Sequence, residues 1–547
     1  MKTRLHSVLD QLVKRCPTSG RWIALRRDTP LARVFYPVLG CLAIAWYLFR
    51  VVPKPSRADY PCQKVAAGVG IGFVTWLVGC LLALQGANLV RRRVGRVAAA
   101  LCGLTVAAFV YASVGTGGTA DAEKPVIQNL NPVEGRNRPM GIGKGIGPGR
   151  VVWAQDFEAT KWDGKTGAWW EEQNTDLATV EKMFSASLQR LTETQSDPAA
   201  WEKLFRYFNR TSGRGDRGYQ KGEKLVIKLN CNADSKGEPW TDRGYPNPQV
   251  VYVMVRQLIE VAGVPGECIT LADPSRCLND ILYNRVRINP RGDYQQVSFA
   301  DNRGGSASRR LKAEPDMNCP IHFELPGNVR TTMYLPKVYT EAAYLINYAL
   351  LRPHRVFGIT VAAKNHFGSV YDPTKKAFAP NVLHAFALWD YPTPYRHGQP
   401  NGLVQLLGHK ELGGKTLLYF ADGLYTSKNQ SLPVVRWSTL NNRWCSSLLL
   451  SQDPVALDSV AYDLIGTEPN LTEGNPSFNG NVDGYLHEAA LADTPPSNTR
   501  YDPMGDGTSL KSLGVHEHWN NADQKSYSRN QGKREGIELV RLSYNRS

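Results

Sequence analysis

The sequence predicts an α/β fold: a mainly parallel, Rossmann-like sheet with helices on both faces, preceded by three transmembrane helices. Three observations lead there. Short apolar runs of strand length alternate with segments of helical period along residues 150–547. The best of those runs stop abruptly at Asn, Asp or Gly, as strands do where they feed a loop. Three long apolar stretches, Val34–Val52, Ala66–Val90 and Val97–Gly115, fill the first fifth of the 547-residue chain. Each is close to the roughly 20 residues with which a helix crosses a bilayer core.

The basic charge lies beside those stretches. Residues 1–115 hold 16 Lys+Arg and 3 Asp+Glu; the whole chain carries +16, which leaves only +3 on residues 116–547. A nucleic-acid surface needs basic residues clustered on the folded domain, so that class of partner is excluded. Residues 1–33 are basic, and the loop between the second and third stretches reads Arg91-Arg92-Arg93 with Arg96. Short basic loops stay in the cytoplasm. Residues 1–33 are therefore expected inside, 34–115 form the anchor in the inner (cytoplasmic) membrane, and the chain beyond is expected outside it, in the periplasm or the extracellular space. The first loop, with Arg50, Lys54, Arg57 and Lys64, weakens that asymmetry. Arg26-Arg27 is a fragment of a twin-arginine signal without the rest of the motif. Between their ends the stretches carry little that could serve a transport path, with Gln85 and Asn88 as amides.

Residues 116–149 read as a Gly/Pro-rich linker. Its end, Met140 to Gly149, lacks the Gly-Lys-Ser/Thr close of a triphosphate loop and precedes a strand (Arg150–Ala154) instead of following one. No C-x-x-C occurs among the ten cysteines, which argues against an iron–sulfur cluster or a four-thiolate zinc site. No Gly-x-Ser-x-Gly elbow is present either.

In the soluble part, Lys224–Asn230, Cys268–Ala272, Tyr344–Tyr348, Val356–Ile359, Thr416–Ala421 and Leu448–Ser451 are expected strands. Leu177–Leu191, Ala199–Phe208, Gln249–Val261, the residues around Tyr339–Ala343, and Pro454–Ile465 are expected helices. In open α/β sheets ligands bind beyond the carboxyl ends of the strands. Lys228 and Asn230 stand two apart there and share a face. Asp273 follows the next strand, Asn347 ends another, Asp422 follows Thr416–Ala421, and Asp453 follows Leu448–Ser451. Asp453 before Pro454 is also an ordinary helix start, and Asp422-Gly423 an ordinary turn. Asp458 is equally explained by an exposed helix face. Lys364-Asn365-His366 in an apolar run is harder to explain by packing. His516-Glu517-His518 places two imidazoles on one side of an extended segment, and His487 and His354 could join them around a divalent metal; histidines facing solvent or satisfied by hydrogen bonds explain the same pattern.

These pieces resemble the domain-of-unknown-function 362 family in its membrane-attached or exported branch. The matching stretches are LVIKLN (Leu225–Asn230), LIN…LLRPH (Leu345–His354), GITVAAKNHFGSV (Gly358–Val370), ADG (Ala421–Gly423) and SQDPVALDSVAYDLIG (Ser451–Gly466), in family order. The resemblance covers about 150–547 and implies one α/β domain with a shared pocket. Some relatives carry a ferredoxin-like cysteine cluster, which this chain lacks. Where the family pattern usually reads Lys-Thr-His, this chain has Arg352-Pro353-His354, and an arginine does not serve as a base.

Two functions are consistent with these residues. One is an enzyme outside the membrane in which Lys228, Asn230, Asp273, Asn347, His354, Asn365 and Asp453 hold a carboxylate or phosphate ligand, Lys364, Asp422 and Asp458 do the chemistry, and His516 and His518 bind metal. The other is a membrane-tethered binding or assembly protein that uses the same residues without turnover. The reaction class stays open.

Overall fold

The computed structural model describes residues 13–15, 22–25, 41, 44–46, 135–231, 243–354, 357–378, 383, 397–472 and 481–544. The three apolar stretches lie almost wholly outside these. Among the described residues no helix is long and apolar enough to cross a membrane. The chain divides into two compact units, 1–125 and 126–547. In the first, Val13–Arg15 pairs antiparallel with Trp22–Leu25. The second holds every described residue from 135 onward.

Its frame is a nine-stranded sheet. In chain order the strands are β1 Arg150–Gln155, β2 Leu225–Lys228, β3 Ile269–Asp273, β4 Ser298–Asp301, β5 Arg310–Lys312, β6 Tyr344–Leu350, β7 Thr416–Gly423, β8 Ser447–Ser451 and β9 Glu538–Ser543. In space they run β9-β1-β8-β7-β6-β2-β3-β4-β5. The pairings are parallel except at β8, which lies antiparallel to both β7 and β1. The expected mainly parallel sheet is thus present, with one strand reversed.

Strand alternation sorts the core into two layers. Tyr344, Ile346 and Tyr348 of β6 point to one face, with Leu225 and Ile227 of β2. Leu345 and Ala349, with Val226, point to the other. The first face is covered by α1 (Leu177–Thr192), α2 (Asp197–Thr211), α3 (Pro248–Arg256) and α4 (Asp280–Arg287). The second is covered by the hairpin Pro315–Leu325/Val329–Pro336 and by α5 (Ala362–Asn365), α6 (Gly402–Gly408), α7 (Pro454–Gly466) and α8 (Asn481–Ala490). Helices on both faces were expected, and the shift from period 2 to period 3.6 in the sequence carries that information.

Some local expectations are corrected. The expected helix Gln249–Val261 is α3 followed by one π turn, Gln257–Val261. Val356–Ile359 is a short strand, Gly358–Thr360, paired with Arg352–His354 in its own two-stranded ribbon outside the main sheet. The Gly-rich run Met140–Gly149, expected as a loose linker end, is part of the folded unit. Met140–Gly141 pairs with Val515–His516. The backbone N–H groups of Lys144, Gly145 and Ile146 donate to Asp453 Oδ2, Tyr207 Oη and Gln452 Oε1 at 2.8, 3.1 and 2.9 Å. Glycine is required by close approach here: a Cβ on Gly141 would lie 2.3 Å from Gly514 O.

α7 organises this layer. Asp453 caps it by accepting from Ala456 N at 2.9 Å, and Pro454 opens its first turn. All thirteen of its residues are buried. A helix buried all round needs partners for each polar side chain it carries. Asp458, Ser459 and Asp463 find theirs on three other segments.

Candidate functional site

Lys228 ends β2 in register with Asn347 of β6, and the two share a face by strand alternation. Lys228 is 1% exposed. Its Nζ donates to the Leu229 carbonyl and to Asn365 Oδ1 (3.1 Å), and it lies 3.4 Å from Asp273 Oδ2. An ammonium only donates, so Asn365 presents its oxygen to Lys228 and its amide elsewhere. That amide reaches Asn347 Oδ1 (2.8 Å) and the carbonyls of Lys228 and Tyr348 (each 3.1 Å). Asn347 in turn donates to Ala362 O (2.9 Å) and faces His366 Nε2 (3.0 Å). Burial pushes His366 down to about 3, so its ring is neutral and Nε2 accepts. The result is a connected buried network between β2, β6 and α5, of the kind that specifies geometry.

Asp273, the last residue of β3, is fastened by Cys231 N (2.8 Å) to one oxygen and by Ser275 Oγ (3.0 Å) to the other. Asn230 accepts from Arg352 Nη2 at 3.1 Å, while Arg352 Nη1 donates to Gly244 O at 3.0 Å. Burial pushes Arg352 down to about 10, so it remains a cation at neutral pH. His354 sits on the same ribbon, and its Nδ1 accepts from Phe357 N at 3.1 Å.

Lys364 is different. It is 7% exposed, and its ammonium stands over the rings of Phe367 (3.9 Å) and Phe357 (5.2 Å). Among the described residues no carboxylate pairs with it. Burial, then the charges of Arg352, Arg276 and Lys228, push its pKa well below the ordinary lysine value. Lys364 lines a small crevice of about 30 Å³ together with Lys228, Asn230, Asp273, Arg276 and Asn365. Three basic side chains and one carboxylate converge there, at the carboxyl ends of β2 and β3. A larger depression of about 550 Å³, lined by Trp170, Tyr283, Arg285 and Ile288 among others, is wide open and gathers none of the predicted residues.

Gly368 closes one wall. A Cβ there would lie 2.5 Å from Ser275 Oγ and 2.9 Å from Asp273 Oδ1. Ser275 can turn aside, but Asp273 is held by Cys231. Gly368→Ala is therefore expected to cost about 1–3 kcal/mol and to shrink the crevice, read as a lower denaturation midpoint and a weaker anion response.

Asn347 meets the crevice through Asn365, and Asp422, Asp453, Asp458 and His354 do not line it. Asp422 stands one residue before the end of β7, but strand parity turns it to the opposite face from Lys228 and Asn347. There it accepts from Tyr348 Oη (2.7 Å), Asn247 N (2.8 Å) and Leu424 N (3.1 Å). Burial raises its pKa. Asp453 is at the other edge of the sheet, because the reversed β8 delivers its C-terminal end there. It braces Lys144 N and Val515 N (2.8 and 3.1 Å), and burial pushes it up to about 6. Asp458 acts behind the crevice: its carboxylate accepts from Ala362 N (2.7 Å), Ala363 N (3.1 Å) and Tyr485 Oη (2.6 Å). α5 has Val361 where its own cap would stand, and Asp458 supplies that cap from α7. His354 lies beside the crevice without lining it.

His516 and His518 fall into a second cluster. His518 is clamped between Asp463 (Nδ1 to Oδ1, 2.6 Å) and Asp483 (Nε2 to Oδ1, 3.1 Å). Burial opposes its charge, but Asp463 and then Asp483 outweigh that and hold it up at about 11. Asp463 also accepts from Tyr527 Oη at 2.8 Å. His487, on α8, approaches His397 at 3.0 Å.

Arg276 stands out in the sequence beside Asp273 at a strand end but without an assigned role, whereas Gly368 in the crevice and Asp483 beside the histidines were not singled out. Asp483 did carry a signal: it stands four residues before His487 on a helix, so the two share a face. Gly368 carried none, since its neighbours come from a distant loop.

The fold and crevice define a class: α/β proteins with a mostly parallel sheet and a buried cationic crevice at its strand ends. Residues 225–463 match the family model described as Domain of unknown function (DUF362). That span takes in β2, β3, β6, β7, β8, most of α7 and every crevice residue named above, and it supports the resemblance carried by the motifs. No curated protein matches the chain.

Proposed function

We propose that the crevice between β2, β3 and α5 binds the carboxylate or phosphate group of a small substrate, and that the protein is an enzyme of as yet unnamed reaction. The observation that carries this proposal is Lys364: a buried ammonium that among the described residues rests on aromatic faces and makes no ion pair, crowded by Lys228, Arg276 and Arg352 with Asp273 as an opposing charge beside them. An anion placed there would supply the counter-charge that such a group needs. The depressed pKa favours catalysis over passive binding, because a lysine whose proton is held less tightly than usual is a readier base or nucleophile. The non-catalytic alternative, a tethered ligand-binding or assembly protein, has no use for that depression.

We also propose, on the charge distribution of residues 1–115, that three spans anchor the chain in the inner membrane with residues 116–547 outside the cytoplasm. Protease digestion of the C-terminal unit in intact spheroplasts supports this; protection until lysis refutes it.

The anion proposal is tested with the full chain in detergent. Inorganic phosphate and succinate are titrated while thermal unfolding is followed, since a ligand of the folded state raises the midpoint with occupancy. Arg276→Gln removes a rim charge and should weaken the response roughly tenfold while leaving the ligand-free midpoint within about 1 kcal/mol of wild type. An unresponsive wild type, or equal responses from both proteins, overturns the assignment.

A further inference from the structure

The buried histidines near α7 and α8 form a second site that the crevice does not use. One ligand atom each from Asp483, His516 and His518 lies within 4.8 Å of the other two, and all three residues are buried. Bringing such donors onto one ion, at roughly 2.0–2.2 Å from each, needs only side-chain adjustment.

Each ring is also held from behind. Asp463 only accepts, so His518 Nδ1 carries a hydrogen toward it at 2.6 Å. Ser459 Oγ gives its own hydrogen to Val455 O at 2.7 Å and therefore accepts from His516 Nδ1 at 2.8 Å. Both Nδ1 atoms are thereby donors, so ligation would fall to Nε2, on His518 in exchange for the proton it holds toward Asp483. Metal-ligating histidines are oriented in this way, with the second nitrogen on a carboxylate or hydroxyl. His518 Nε2 lies 3.1 Å from Asp483 Oδ1. A proton can bridge that pair; a metal cation in its place would also take in His516, whose ligand atom lies within 4.8 Å of the other two. His487 stands alongside, its ring 5.1 Å from that of His516.

We propose that Asp483, His516 and His518 are the three protein ligands of a divalent transition-metal ion of the zinc or iron(II) class. Two imidazoles and one carboxylate suit such an ion; calcium and magnesium prefer all-oxygen sets. Three protein ligands also leave a coordination position for water or substrate. Asp463 and Ser459 are positioning residues for the two rings.

The full chain in detergent is treated with chelator, desalted, and titrated with zinc against a chromophoric competitor. One equivalent should bind tightly. Ser459→Ala should weaken binding roughly 10-fold. His516→Ala and Asp483→Asn remove ligands and should weaken it more than the roughly 100-fold upper range for such outer-shell changes. Lys364→Met should bind zinc as wild type does, which separates this site from the crevice. Should the ligand variants fail to fold, cobalt(II) on the unaltered protein decides: visible d–d bands that zinc abolishes support the site. Absence of saturable zinc and cobalt uptake by wild type overturns it, as does wild-type zinc affinity in folded His516→Ala or Asp483→Asn.

Discussion

Lys364→Met is expected to make the protein more stable and blind to phosphate. The ammonium is nearly buried, and its partners are the faces of Phe367 and Phe357 at 3.9 and 5.2 Å. Methionine keeps the length of the side chain and adds a favourable sulfur–aromatic contact. Removing a buried charge that no ion pair among the described residues offsets should stabilise the ligand-free fold by about 1–2 kcal/mol. The pH dependence separates this from a simple packing gain. Folding depresses the lysine pKa, so below the unfolded value, near 10.4, the unfolded chain holds this proton more tightly. Wild-type stability therefore climbs as pH rises from the folded pKa toward that value, and levels above it. The methionine variant lacks that contribution. Urea midpoints across the alkaline range measure it, and parallel profiles for the two proteins would sink the idea.

Asp458→Ala should be among the most damaging single changes near the crevice, although Asp458 does not line it. Removing the carboxylate leaves two backbone N–H groups and the Tyr485 hydroxyl buried without their acceptor. At about 1–3 kcal/mol for each buried group, partly relaxed, the expected cost is about 3–5 kcal/mol. α5 is only four residues long, too short to hold itself, so Lys364 and Asn365 lose their placement and phosphate binding falls with stability. Tyr485→Phe, which removes one of the three donors, should cost about 1 kcal/mol and leave phosphate binding intact. Burial raises Asp458 to about 6, so its protonated form stabilises the fold fully below about pH 4, the ordinary carboxyl range. That stabilisation is lost as pH rises through about 6, a slope the alanine variant should lack. Equal stability of Asp458→Ala and Tyr485→Phe at neutral pH would show that the cap is not what holds α5.

Strand and helix periods made much of the sheet legible before any coordinates. β2 and β3 are apolar runs ending in Lys228 and Asp273, while Asn347 falls in the middle of β6 and Asp422 one residue before the end of β7. Lys228, Asn230, Asp273 and Asn365 do converge, because parallel neighbours bring their carboxyl ends to one edge. The strands at the periphery (β4, β5 and β9) and the hairpin 315–336 were not singled out. Several of their residues are partly exposed or polar, so their alternation is weak.

Composition and period alone placed the basic apolar N-terminal segment, the α/β alternation and the residues of the strand ends. Only the tertiary structure decided which of those residues share a site. Asp453 went to the opposite edge because β8 runs backwards, and a period-2 pattern is the same in either direction. Asp422 went to the opposite face because register and parity, set by pairing with β6, govern where a strand's last side chain points. Asp458 and Asp483 acquired their roles from partners far along the chain, and such contacts exist only once the layers have packed.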